Sequence, residues 1–580
     1  MKAFRLFTRA TFWLSIISLV GAVHDAGFGE NDTFEPFIQV LFLWTISFGI
    51  GSTVLRYIQG EKRPGRGVIF FDAISILFLL AVLLINLEWI IVHPYMEHNN
   101  WLNLAILLVF VREFSALRIE FKRALINPAQ LFVLSFMVVI VFGAFLLMLP
   151  NATKEGIGFL DALFTSTSAV CVTGLIVVDT GTYFTHFGQT IILVLIQIGG
   201  LGIMTFASYF SYFFSGGSSY ENHLVLSDMT NADKLSEVFV TLKRIIQVTF
   251  SIELVGALLL YFNLPEAAFA SEAESGFFVI FHSISAFCNA GFSTLSNSLF
   301  DDSFKFNYGF QLIIIFLFVF GGIGFPIMFN VYQVVKTFFQ RRLFPFLSKE
   351  KPLYAPWRLN LNTRIILITT GILTGLGTIF FFIFEYDNTL AEHDWVGKAV
   401  TALFGATTPR TAGFNSVDMA ALKFPTLMMI FLLMWIGASP GSTGGGIKTS
   451  TFAIGLLNFI SLARGKTKIE VFRREIAAIS VRRAFAIISL SMIVISAGIV
   501  GVAWFDRDLS LLDVGFECFS AYSTVGLSLG ITSALSDGSK WVIILVMFIG
   551  RVSMLSILIA LIPKVRHETY QYPTEEILIN

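Results

Sequence analysis

Four short stretches of this chain could replace the water around an alkali cation. They are Cys171-Val172-Thr173-Gly174-Leu175, Cys288-Asn289-Ala290-Gly291-Phe292, Arg410-Thr411-Ala412-Gly413-Phe414 and Ser523-Thr524-Val525-Gly526-Leu527, spaced about 115 residues apart. A bare cation is stabilised only where backbone oxygens replace its hydration shell, and successive inward carbonyls demand backbone angles that L-residues resist. Glycine meets that demand because it has no Cβ to clash. Gly174, Gly291, Gly413 and Gly526 hold the same place in each copy, two residues after Val172, Asn289, Thr411 and Thr524, with Thr173, Ala290, Ala412 and Val525 between. One such loop cannot surround an ion, but four converging on a common axis can.

Loops of this kind need a frame. Irregular backbone is tolerated at membrane depth only where it lines a cavity or is buried in protein. Each stretch follows a short, half-polar run and is flanked on both sides by apolar segments of membrane length. The unit is read as membrane helix, re-entrant loop, membrane helix, repeated four times. The opening helices are predicted near 129–149, 244–262, 365–385 and 483–505, and the closing ones near 188–213, 308–335, 424–460 and 540–562. Short helices should precede the loops near 159–169, 277–287, 395–406 and 511–521, aiming the partial negative charge of their carboxyl ends at the ion. Four further helices, near 10–23, 36–57, 68–93 and 101–117, come first, making twelve spans. The expected fold class is an all-α polytopic membrane protein: four N-terminal membrane helices followed by four pseudo-repeats around a central pore. The expected divisions are 1–127, 128–235, 236–345, 346–480 and 481–580.

Composition agrees. Of 580 residues 55% are hydrophobic and 13% charged, with a mean hydropathy of +0.77, far from a soluble average. Net charge is zero, so nothing supports attraction to nucleic acid. The charges are sorted by connection instead. Arg56, Lys62 and Arg63, then Lys122 and Arg123, then Lys349, Lys351 and Arg358, then Arg464 to Arg483 alternate with the acidic groups Asp25 to Asp32, Glu266 to Asp302, Asp387 to Asp394 and Asp506 to Asp513. By the positive-inside rule both termini are cytoplasmic and all four loops enter from outside, beneath acidic mouths that would concentrate cations. Lys2, Arg5 and Arg9 ahead of an apolar run also fit a secretory signal; the segment is read as a retained helix. Cys171, Cys288 and Cys518 are read as small fillers of packed corners, and His282 as a buried, hydrogen-bonded histidine.

Two features interrupt the apolar spans. Gly437 to Thr449 contains Gly441, Ser442, Thr443, Gly444, Gly445, Gly446 and Lys448, and this run should break the closing helix of the third unit. It nearly matches a phosphate-binding loop, but Ile447 separates the last glycine from Lys448 and no strand precedes it. A flexible, unwound segment below the four loops is the expectation. Arg551 lies within the last helix at an insertion penalty of roughly 2.5–3.5 kcal/mol, so it should face the pore or a polar partner such as the carbonyls of that segment.

Ser168-Ala169-Val170-Cys171-Val172-Thr173-Gly174-Leu175, Gln197-Ile198-Gly199-Gly200-Leu201-Gly202, Phe320-Gly321-Gly322-Ile323-Gly324-Phe325-Pro326 and Thr408-Pro409-Arg410-Thr411-Ala412-Gly413-Phe414-Asn415 carry a family resemblance. Over about residues 128–580 the chain resembles the Trk/Ktr/HKT superfamily of potassium transporters, specifically its bacterial membrane subunits. The resemblance implies a potassium-selective pore with its filter at the four loops and K+ as the transported ion. The family's counterpart of Gly441–Gly446 is an intramembrane loop that obstructs the pore and moves during gating, and its arginine at the place of Arg551 works near that gate. The family's usual Gly-Pro after this arginine is absent from Gly550-Arg551-Val552-Ser553-Met554-Leu555. Plant relatives that prefer sodium carry serine at the first filter glycine, where this chain has Gly174. The resemblance further implies a homodimer in the bacterial inner membrane, in contact with lipid, bound to a cytosolic ring of nucleotide-binding regulatory subunits.

No cofactor is expected on the chain itself: no Gly-x-Gly-x-x-Gly occurs, and the cytoplasmic stretches near 214–243 and 336–364 are too short for an independent core. Enzyme chemistry has no constellation to rest on, since the spans contain no His-Glu-x-x-His and no aspartate pair. A secondary transporter coupling potassium to sodium or protons would use the same filter, and that alternative stays open. The first 127 residues resemble a voltage-sensor bundle, with Asp72 near the start of the third helix and Arg112, Arg118, Lys122 and Arg123 along a fourth whose third-position register reads Arg112, Ser115, Arg118, Phe121. Half of that register is empty, so a sensor-like accessory bundle without strong voltage response is expected.

Overall fold

A computed structural model describes residues 2–28, 35–59, 66–87, 99–116, 128–202, 238–265, 269, 271–342, 359–552 and 557–558. Lys62, Lys122, Arg123, Lys349, Arg358, Glu266 and Arg118, together with most of both predicted cytoplasmic stretches, lie outside these residues. Helices α1 (Lys2–Phe28), α2 (Glu35–Gln59), α3 (Arg66–Asn86) and α4 (Asn99–Ala116) come first. They pack on one another around Ile46, Ala105, Ile106 and Val109. Apolar side chains such as Trp13, Val20, Phe70 and Leu77 cover the outside, as a lipid-facing surface requires. Two ion pairs lie inside this bundle. Arg112 Nη2 donates to Asp72 Oδ2 at 2.7 Å, where Tyr57 also donates at 2.7 Å, and Arg56 bonds Glu113. Buried pairs of this kind are costly to break from one side.

The rest of the described chain runs α5 (Pro128–Leu147), α6 (Phe159–Val170), α7 (His186–Gly200), α8 (Val238–Tyr261), α9 (Glu272–Phe287), α10 (Tyr308–Ile323), α11 (Phe325–Arg342), α12 (Leu361–Glu385), α13 (Trp395–Thr407), α14 (Phe424–Trp435), α15 (Thr449–Ala463), α16 (Ala478–Phe505), α17 (Leu511–Ser523) and α18 (Asp537–Val552). The short helices start on side-chain caps where the chain supplies them: Ser271, Asp394 and Ser510 accept from Glu274, Gly397 and Asp513 amides at 3.2, 2.8 and 3.2 Å. The packing is cyclic. α9 lies on α7, α13 on α10, α17 on α14 and α6 on α18, so each short helix rests on the helix that closes the group before it.

Six described helices are long and apolar enough to cross a membrane, or seven if α10 and α11 form one span. The closing segment predicted near 424–460 is interrupted, as its glycines imply: α14 and α15 have 12 and 15 residues, and fifteen residues reach only about 22 Å of a hydrocarbon core about 30 Å thick. α7 ends at Gly200, and residues 203–213 of the span predicted near 188–213 lie outside the described residues. The predicted continuous helix 308–335 is corrected: it breaks at Gly324 and turns by 104° into α11. Gly324 sits at φ +93°, and Pro326 follows at the second position of the new helix. One small departure from an all-helical chain is the hairpin of β1 (Glu470–Val471) and β2 (Arg474–Glu475). Phe472 and Arg473 turn it at φ +49° and +64°, the left-handed pair that a two-residue hairpin requires.

Candidate functional site

The four predicted loops meet. In each, a residue at or just beyond the short helix's end takes a left-handed conformation, Val172, Asn289, Thr411 and Thr524 at φ +56°, +61°, +76° and +49°, and the glycine two residues later does so again, at +92°, +69°, +81° and +90°. The chain thus reverses out of the helix and runs back extended. A Cβ on any of these glycines would overlap its neighbour loop: on Gly174 the carbonyl oxygen of Ala290, on Gly291 that of Ala412 at 3.0 Å, on Gly413 that of Val525, and on Gly526 that of Thr173. The series closes on itself. Four backbones therefore form one ring, and oxygens of four successive loops occupy the space that side chains would fill.

Hydroxyls from the short helices brace this ring. Ser168 Oγ accepts from Gly174 N at 3.0 Å and Ser520 Oγ from Gly526 N at 3.0 Å, while Ser285 Oγ donates to Phe292 O at 2.7 Å and Thr408 Oγ1 to Phe414 O at 2.5 Å. The third loop is one residue shorter at its start: Ala412 N bonds four residues back to Thr408, whereas Thr173, Ala290 and Val525 reach five back to Ser168, Ser285 and Ser520. The Asn289 amide donates to Ala286 O at 3.2 Å and Phe318 O at 2.9 Å, and accepts from Thr411 Oγ1 at 3.1 Å. These braces were not singled out from the sequence. Their signal was a Ser or Thr five or six residues ahead of every glycine. Ser168→Ala leaves a buried N–H unpaired, at a cost of about 1–3 kcal/mol. The expected result is a modest fall in ion discrimination with flux retained, read by vesicle flux in potassium against sodium.

Above the ring lies a cavity of about 310 Å³ with Gly174, Gly291, Gly413 and Gly526 on its wall. Asp418 is the one carboxylate among its lining residues, beside Asn297 and Asn415. The acidic connections predicted to form the mouth, with Asp301, Asp387 and Glu392, do not line it. Glu392 bonds Lys305 at 2.5 Å instead, which holds its carboxyl below the usual carboxylate range. Glu517 on α17 is buried beneath the fourth loop and accepts from Ser528 at 2.9 Å and from Thr532. His282 is buried, with Phe278 O and Ser293 Oγ each 2.9 Å from a ring nitrogen. Cys171, Cys288 and Cys518 are buried and free.

Directly against the ring, on the side of Thr411 and Thr524, sits the unwound segment between α14 and α15. A Cβ on Gly444 would strike the Thr411 hydroxyl, and one on Gly445 that of Thr524. The segment is tied to the α10 break, for Ser439 N donates to Gly322 O at 3.0 Å, Thr443 N to Gly321 O at 3.3 Å, and Phe325 N to Gly441 O at 3.0 Å. Ser442 Oγ closes a turn on Ser439 O at 2.6 Å, and Gly441 and Gly446 stand at φ +70° and +67°. Lys448 Nζ donates to Gly444 O at 2.6 Å, so the lysine is engaged by the segment's own carbonyls. Arg551 is buried and spans two elements, donating to Thr443 O and, at 2.6 Å, to Gly199 O at the end of α7. The arrangement can coordinate a dehydrated cation at the ring and hold a plug of backbone beneath it.

Comparison with known proteins places the chain. The family profile described as "Cation transport protein", TrkH, matches residues 97–570. The chain is 38% identical over 454 residues to "Ktr system potassium uptake protein B" of Bacillus subtilis, covering 78% of this chain and 96% of that protein. It is 34% identical over 468 residues to "Potassium/sodium uptake protein NtpJ" of Enterococcus hirae, covering 79% and 98%. The crystal structure of the potassium transporter TrkH from Vibrio parahaemolyticus superposes with a TM-score of 0.60 at 17% identity, over 91% of this chain and 97% of that one, and so shares the fold. Such proteins move ions and are not enzymes. The chain belongs to the TrkH family of cation transport proteins.

Proposed function

We propose that this protein takes up potassium across the plasma membrane through a selective, channel-like pore. The observation that carries the reading is the closed ring in which the carbonyl before each of four glycines packs against the next loop. Val172 to Gly174, Asn289 to Gly291, Thr411 to Gly413 and Thr524 to Gly526 are the selectivity filter, K+ is the cargo held by their carbonyls, and the cyclic packing supports four pseudo-repeats at 128–235, 236–345, 346–480 and 481–580. Residues 441–446, with Lys448 and Arg551, form the gate. Both termini are cytoplasmic, the protein is a homodimer, and a cytosolic nucleotide-binding ring regulates it. The N-terminal bundle is an accessory with little voltage response, because Arg112 and Glu113 are adjacent and opposite in charge on α4.

A second reading has one observation behind it: a relative whose name couples potassium with sodium. Flux from purified protein in vesicles, with potassium, rubidium and sodium in turn, separates the two. Potassium and rubidium uptake that is indifferent to sodium and proton gradients supports the pore. Potassium uptake that requires one of those gradients overturns it in favour of coupled transport.

A further inference from the structure

Arg410 raises a question that the filter does not answer. It follows α13 at the first position of the third loop, and its guanidinium lies against Thr374, one residue past the midpoint of a 25-residue membrane span. A cation at that depth is costly without a partner, yet the atoms it reaches are hydroxyls: Nη1 donates to Thr374 Oγ1 at 3.4 Å and Nη2 to Thr449 Oγ1 at 3.2 Å. Thr449 is fully buried and is the first residue of α15. The same hydroxyl that accepts from Arg410 donates to Gly437 O at 3.2 Å, and the Thr449 amide donates to Ala438 O at 3.2 Å. A threonine hydroxyl can do both at once. Residues 437 and 449 are the two ends of the unwound segment. Thr449 therefore pins its base shut, and Arg410 holds Thr449.

The tip and the base of the segment are thus held by different charges. Arg551 and Lys448 grip the carbonyls of Thr443 and Gly444 at the tip. Arg410 acts on the base, from a residue adjacent to Thr411, whose own hydroxyl meets Gly444. Beside it lies a cavity of about 120 Å³ whose wall includes Arg410, Thr374, Gly322 and Ala438. Ala438 is the base of the segment, so the chain has space to swing into when the pin is released.

We propose that Arg410 is a positioning residue for gating, which couples the third filter loop to the gate by holding Thr449 against Gly437. This rests on residues 441–446 being the obstruction. Charge-assisted hydrogen bonds are about twice as strong as neutral ones, so losing this one should raise flux about tenfold.

The test uses the full chain in vesicles, with potassium and sodium flux measured for Arg410→Gln, Arg410→Lys, Thr449→Val, Thr449→Ser and Arg410→Gln with Thr449→Val. Valine is nearly isosteric with threonine, so Thr449→Val removes the hydroxyl with little change in packing. The expected result is higher potassium flux in Arg410→Gln and Thr449→Val with an unchanged potassium-to-sodium ratio, low flux restored in Thr449→Ser, and a double variant no faster than the faster single one. Arg410→Lys keeps the charge but not the two-pronged reach, and should conduct like Arg410→Gln. Flux in Thr449→Val equal to the unaltered protein, or a double variant at the product of the singles, overturns the proposal. So does loss of ion preference in Arg410→Gln, which would make the arginine a prop of the filter. Deleting Gly441–Gly446 keeps the two levels apart: a deletion that leaves flux unchanged removes the gate itself, whereas raised flux there beside inert Thr449→Val removes only the role of Arg410.

Discussion

Gly174→Ser should lower the preference for potassium over sodium at least tenfold in vesicle flux. Two effects act together at this position. Serine at φ +92° carries the left-handed penalty of an L-residue, about 1–2 kcal/mol, and its Cβ overlaps the Ala290 carbonyl oxygen, which is backbone and cannot swing aside as a flexible side chain would. The oxygen must shift, and with it the spacing of the ring proposed to replace potassium's water. Gly156 separates the two effects: it also has positive φ, +81°, but open space where a Cβ would be. Gly156→Ser should carry the conformational penalty and leave ion preference intact. An unchanged potassium-to-sodium ratio in Gly174→Ser would count against the ring as the filter.

That ring was readable from the sequence for the same reason that it is sensitive. Positions that exclude a side chain leave a mark no other constraint easily imitates, and four of them in register point to one axis. The short helices were readable from their half-polar runs, and the break at 437–448 from its glycines. Other features left weaker marks. The bend at Gly324 was hidden because Phe325-Pro326 resumes a helical pattern at once, and proline is welcome in a first turn. Ser168, Ser285, Thr408 and Ser520 look like ordinary polar residues of a short helix until the loop folds back onto them. Arg410 was absorbed into the motif around Gly413, since spacing along the chain cannot show that its side chain runs toward α12 and α15. Acidic connections suggested a charged mouth, but charge counted by connection ignores direction, and the carboxylate that lines the cavity is Asp418.

Arg551→Ala should raise potassium flux by about tenfold or more with ion preference unchanged, since each charge-assisted bond lost is worth about 1.5–3 kcal/mol. The guanidinium joins Thr443 O in the unwound segment to Gly199 O at the end of α7, so its removal frees the segment from the first unit while the four glycines stay as they are. Flux could also rise because a positive charge beside the path of a cation has been removed, with the segment still in place. Two further variants decide between these. Arg551→Lys retains the charge but cannot span both carbonyls in the same way, so a latch predicts flux near that of Arg551→Ala, and repulsion predicts flux near that of the unaltered protein. Deleting Gly441–Gly446 removes what the latch would hold, and Arg551→Ala should then add little, whereas repulsion would multiply the flux by its full factor again. A full multiplicative gain in the deletion background, with Arg551→Lys silent, would leave Arg551 as a charge barrier and place closure of the pore in the packing of Gly444 and Gly445 against Thr411 and Thr524.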